Sequence, residues 1–232
     1  MARINLLLTN ILIAAGVCAL LFPAAAAKSR PHLIAFGKAQ PVTFPAGLKD
    51  DTTEKMTVRA FYVDDKLKAY TTGEIHEVTE RIFVVRQAFR LNDRLPDEDN
   101  KDKKDKSPRW VWQRGGWMQI DRQSGKVSSL TLPEFDTFYS VAVWYRDYAA
   151  YCGISADGEK LYGVVAQVGM RKPLLRRVLG DPDFSGQADT ACEDDPVWQR
   201  GPTRVTFSPP KGQKLTFTVR GHSADLVEDS EE

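Results

Sequence analysis

Histidine and cysteine are scarce in this chain, with three of each in 232 residues. His32, His76 and His222 lie far apart, without the short spacing that puts two metal ligands on one element. The patterns HExxH, G-x-S-x-G, P-loop and CxxC are absent. That removes the metalloprotease helix, the nucleophile elbow, the phosphate cradle and dithiol redox chemistry as readings. The stretch "GHSAD" sets His222, Ser223 and Asp225 side by side, but a working triad draws its members from separate elements. An excess of one charge is lacking too, since 32 Lys and Arg face 31 Asp and Glu. A nucleic-acid-binding domain carries a basic excess on one face, so no nucleic-acid partner is expected. Beyond the N-terminus no apolar run approaches membrane-spanning length.

What is present begins with an export signal. Arg3 gives a short positive n-region, Leu6 to Leu21 is apolar but for Thr9 and Asn10, and Pro23 with Ala24–Ala27 forms a small-residue cleavage site. Residues 1–27 therefore read as a signal peptide cut near Ala27, leaving a periplasmic or extracellular chain without a transmembrane segment. An uncleaved anchor would leave Lys28 and Arg30 on the outer side, against the positive-inside bias. Cys18 belongs to the apolar run, so Cys152 and Cys192 remain, and an oxidising compartment predicts a disulfide between them.

The periodicity downstream is that of strands. "KMTVRAFYV" (55–63) alternates, Asp64-Asp65 turns into "KLKAYTT", and "RIFVVRQAFRL" (81–91) is a longer β-branched run. Residues 94–108 are a low-complexity run of mixed charge, read as a solvated loop inserted within the domain. "WMQID" and "KVSSLTL" flank the hairpin loop "RQSG", and "YSVAVWYRDYAAYCGIS" reads as two strands meeting at Arg146-Asp147. The turn "SADGEKL" (155–161) resembles those joining strands in propeller blades, although two such units would not close a propeller. Residues 172–180, "KPLLRRVLG", fit a short helix, with proline at the start, apolar residues at 174, 175, 178 and 179, and glycine at the end. The expected architecture is mainly β, a single domain over 28–222 of antiparallel meanders, as a sandwich or two packed sheets. Residues 223–232 are grouped as an acidic tail.

One pentapeptide, "VWQRG", occurs twice, at Val111–Gly115 and Val197–Gly201. Each copy follows an acidic stretch and precedes strand-like sequence, a glycine turn with a lysine, and another strand, which suggests a weak internal duplication. Alternation puts Trp112 with Arg114, and Trp198 with Arg200, on one strand face. Two readings are open. Each copy is a structural corner with Arg lying over Trp, or the aromatic surface of Trp110, Trp112, Trp117 and Trp198 binds a ligand, with Arg114 and Arg200 as polar anchors.

The loop "DPDFSGQADTACE" sets Asp181, Asp183, Ser185 and Asp189 at the first, third, fifth and ninth positions of an EF-hand-type loop. Cys192 stands where the bidentate glutamate belongs, so at most a weak calcium site is implied and no other cofactor. The functional expectation is an exported, non-catalytic binding or envelope-associated protein whose partner is an envelope component, glycan or protein. The alternative is a hydrolase of an envelope polymer using a carboxylate pair that sequence does not single out.

Overall fold

A two-residue turn sets the first hairpin. Asp64 and Asp65 both take positive φ, 50° and 60°, the primed turn whose twist matches that of paired strands. It joins β3 (Thr53–Val63) to β4 (Lys66–Glu77). In the computed structural model, residues 31–45, 53–92, 110–183 and 190–227 are described. Residues 1–27, expected to be a signal peptide, and the charged run 94–108 lie outside them.

The further strands are β1 (Ile34–Phe36), β2 (Gln40–Pro45), β5 (Ile82–Asn92), β6 (Trp110–Asp121), β7 (Val127–Leu130), β8 (Val143–Tyr145), β9 (Tyr148–Ile154), β10 (Leu161–Gln167), β11 (Leu175–Gly180), β12 (Asp194–Arg200), β13 (Thr203–Ser208), β14 (Leu215–Arg220) and β15 (Ser223–Leu226). Among the described residues these make three antiparallel sheets and no helix. The first runs β1-β3-β4-β5-β6-β7, with β2 on the other half of β3. The second runs β8-β9-β10-β11 and the third β12-β13-β14-β15. From Pro31 onward the chain forms one unit.

The second and third sheets pack face to face. Ala150, Cys152, Leu161 and Val165 meet Val205, Phe207, Phe217 and Val219 in one core. Cys152 and Cys192 form the expected disulfide across it, with Cα atoms 5.8 Å apart. The opposite face of the second sheet is buried as well, so β9 reads as a nearly continuous apolar strand. Its cover is the segment 131–142, with Leu132, Phe135 and Ala142 packed on Ala149, Tyr151 and Val164. Polar groups fasten this segment: the Ile154 N–H donates to Glu134 O (2.9 Å), and the Tyr151 hydroxyl to Pro133 O (2.7 Å). Gly153 makes the approach possible, since a Cβ there would sit 2.6 Å from Glu134 O.

Residues 172–180 are not helical. Leu175 to Gly180 form the edge strand β11 against β10. The spacing that suggests a helical face instead serves two strand faces. Leu179 is buried with Leu175 against the shared core, while Val178 stays 52% exposed. Arg176 lies on the Val178 side, 3.9 Å over the Tyr162 ring and 2.8 Å from the Glu134 carboxylate. An edge strand with a free ladder beside it outweighs a weak helical pattern. Ser223–Leu226, grouped by composition with the acidic tail, continue the third sheet as β15. Four ladder pairs to β14 hold them.

The first sheet changes its buried face part-way along. Near one end Phe61, Val63, Phe83, Val85, Met118 and Ile120 fill one side. At the other end Met56, Val58 and Ala88 are buried on the opposite side, with Val42, Tyr70 and Trp112 against them. Register shifts in the β3–β4, β4–β5 and β5–β6 pairings mark the crossover. Bulges of this kind bend a strand and sharpen its twist. The sheet can therefore curl to one side at each end.

Candidate functional site

Four residues expected at a binding surface share one face of β6. Across the β5–β6 ladder Trp110 pairs with Asn92, Trp112 with Arg90, Arg114 with Ala88 and Trp117 with Arg86. Gly115 and Gly116 both stand opposite Gln87, and this extra residue keeps Arg114 and Trp117 on the same side. Burial is graded along the row, from 57% exposure at Trp110 to 4% at Trp117. The row runs from an open rim into the interior.

The arginine over Trp112 is not Arg114. Arg90 of the neighbouring strand lies 4.9 Å from the Trp112 ring and 5.9 Å from that of Tyr70. Tyr70 in turn meets Trp112 edge-on at 5.2 Å. Geometry explains the substitution. Residues i and i+2 on a strand are about 7 Å apart, whereas directly opposed cross-strand residues approach to about 5 Å.

At the buried end Arg86 is 2% exposed. Its guanidinium donates to Thr137 O at 2.8 Å and to Gly115 O at 3.4 Å, and Glu74 lies 3.6 Å away. Burial pulls its pKa down and Glu74 pulls it back, but guanidinium stays protonated throughout. Arg86 thus clamps the segment 131–142 to the first sheet. Trp117 packs edge-on against Trp144 at 5.0 Å, and Trp144 stacks on His76 at 5.3 Å. The His76 Nε2 lies 2.6 Å from Arg146 O, joining β4 to the β8–β9 turn. This end is an inter-sheet joint.

A hollow of about 210 Å³ lies beside it, lined by Trp117, Leu130, Leu132 and Phe135. That is smaller than the roughly 300–1,000 Å³ of a small-molecule pocket. The solvent-facing part of the row is the rim, with Trp110, Arg90 and the half-buried Trp112.

The second VWQRG copy is placed differently. Trp198 sits on the edge strand β12, its indole N–H donating to Val143 O at 2.9 Å, with Tyr145 and Tyr148 against its ring. Arg200 is exposed and pairs in register with Thr203. After Gly201 the chain turns back into β13, whereas after Gly115 it continues through the bulge within β6. The residue after the glycine differs as well, Gly116 in the first copy and Pro202 in the second. The glycines differ too. A Cβ at Gly115 would meet Gln87 at 3.0 Å, while one at Gly201 would meet nothing within 4 Å. The two copies occupy unlike environments, so neither an equivalent corner nor a shared ligand surface joins them.

Of the calcium-loop residues, Ser185 and Asp189 lie outside the described residues. Asp183 has Lys211 Nζ 3.5 Å from its carboxylate. No group of three His, Cys, Asp or Glu side chains comes together among the described residues.

Sequence reasoning passed over Arg86 and Arg90. Their spacing of four in "RQAFR" puts both on one strand face, which was legible; that this face is the one carrying Trp112 and Trp117 was not. Compared with protein-family models, curated proteins and solved structures, the chain gives no match.

Proposed function

We propose that this is an exported, non-catalytic binding protein, and that its binding face is the open rim of the Trp–Arg row on β5 and β6. Export rests on the N-terminal signal pattern and agrees with the Cys152–Cys192 disulfide. The observation that carries the binding reading is a 57% exposed Trp110 one rung outward of an exposed Arg90, whose guanidinium lies 4.9 Å from the Trp112 ring and 5.9 Å from that of Tyr70. Exposed tryptophan beside arginine is the composition of interface hot spots. Arg90 is also already ordered by its ring contacts, so less side-chain freedom is lost when a ligand docks.

A hydrolase needs two carboxylates facing one cleft. The carboxylates acting on Arg86 serve the fold instead: Glu74 faces Arg86, and Asp136 accepts the Phe138 and Tyr139 N–H groups. This favours binding over catalysis. The test is co-sedimentation of the purified protein with insoluble envelope material, wild type against W110A. W110A should bind at least about tenfold more weakly, the loss of one hot-spot aromatic, with an unchanged melting temperature. Equal sedimentation of the two proteins refutes this binding face.

A further inference from the structure

The rim differs from the rest of the row in what is left open. Trp112 is roofed by Arg90 and flanked by Tyr70. Trp110, one rung outward, has no ring or cation over it among the described residues. Its indole is an exposed apolar platform at the rim. Arg90 has no carboxylate within ion-pair distance among the described residues, and it lies against the Trp112 and Tyr70 rings. A guanidinium carries its N–H donors in its own plane as a planar fork. Such a fork matches a carboxylate two-on-two.

Resting on the binding reading above, we infer that the ligand is an acidic glycan. The apolar C–H face of a sugar ring lies on Trp110, and the carboxylate of a uronate residue is taken by the outer edge of Arg90. Trp110 and the Arg90–Trp112 pair are adjacent rungs, about 7 Å apart along the strands, a reach that one or two sugar residues span. A peptide added as a strand would need the outer backbone edge of β6. β7 ladders with β6 only over Trp117–Ile120. Beside the remaining stretch, however, β2 packs against β6, with Val42 in the same cluster as Trp112. The face is packed around Trp112 and opens only at Trp110 and Arg90, where a stacking ligand can reach both side chains.

Polygalacturonate and its fully methyl-esterified form share one backbone and differ in the carboxylate alone, so they are the probes. Calorimetric titration of the purified wild-type protein at low salt should show the acid form binding at least about tenfold tighter, the worth of one charge-assisted contact. The gap should narrow as salt rises. R90Q should bring the two polymers to equal affinity, and W110A should weaken both. Both side chains are exposed, so their melting temperatures should stay within a few degrees of wild type. Equal wild-type affinity for ester and acid overturns the acidic preference and leaves the binding face standing. Binding of polyglutamate in place of polygalacturonate overturns the glycan. An acid preference untouched by R90Q overturns the role of Arg90. If neither W110A nor R90Q alters the response to either polymer, the rim is not the binding face and both readings fall.

Discussion

Adding one methyl group at Gly153 should cost more stability than its size suggests. Gly153 lies in β9 beneath the segment 131–142, and a Cβ there would come 2.6 Å from Glu134 O, 3.0 Å from its Cβ and 3.1 Å from its carbonyl carbon. Two of these atoms are backbone, so no side chain can swing aside. Relief to ordinary contact requires the segment to lift by about half an ångström or more, given that non-bonded carbons sit roughly 3.5–4 Å apart. Lifting it strains the Ile154 N–H···Glu134 O and Tyr151 O–H···Pro133 O hydrogen bonds, each worth about 1 kcal/mol. The overpacking adds about 1–3 kcal/mol. A total near 3 kcal/mol lowers the melting temperature by roughly 6–12 °C for a chain of this size. G116A is the matched control, because a Cβ at Gly116 meets nothing within 4 Å. Thermal unfolding followed by near-ultraviolet circular dichroism reads both. A G153A midpoint within about 2 °C of wild type would refute the close approach of the two segments.

Two further outcomes follow from the same structure. Replacing both Cys152 and Cys192 by alanine removes a link across a sequence separation of 40 and should lower unfolding stability by about 4 kcal/mol in the chain-entropy account; denaturant titration measures it, and a loss under about 1 kcal/mol would count against that account here. Stability should also fall in acid. Asp121 and Glu77 are held below their ordinary pKa by hydrogen bonds from Arg81 and Arg122, and Asp64 by His32. Each therefore stabilises the fold above the unfolded carboxylate range near pH 4 and loses that contribution as pH drops through its lowered folded value. Asp195 works in the opposite sense, since partial desolvation and the neighbouring Asp194 raise its pKa although the residue is exposed; D195N should melt slightly higher than wild type at pH 7, while D121N should flatten the acid decline.

Strand positions were largely legible because alternation and turn residues are local. The Asp64-Asp65 turn, the hairpin around "RQSG" and the reversal at Arg146-Asp147 all lie where the residues indicate. Where reading failed, a neighbouring strand overrode the local pattern. "KPLLRRVLG" has helical spacing, but β10 presents a ladder beside it. "KMTVRAFYV" alternates, yet Phe61 is fully buried on the face opposite to Met56 and Val58, because the sheet changes its covered side along β3. The binding-face residues were half legible. Trp110, Trp112, Arg114 and Trp117 do share a side of β6 once the Gly115–Gly116 bulge is counted. Trp198 and Arg200 stand in a different sheet and belong to another joint.

By itself, then, the sequence determines the local conformations: which stretches extend, where they turn, and which two cysteines are left to pair. The repeated "VWQRG" shows what it does not determine. The same five residues run through a bulge in β6 and end an edge strand in β12, because their surroundings depend on which strand lies alongside. The tertiary structure decides that Arg90 rather than Arg114 covers Trp112, since side chains meet across a ladder more closely than along a strand.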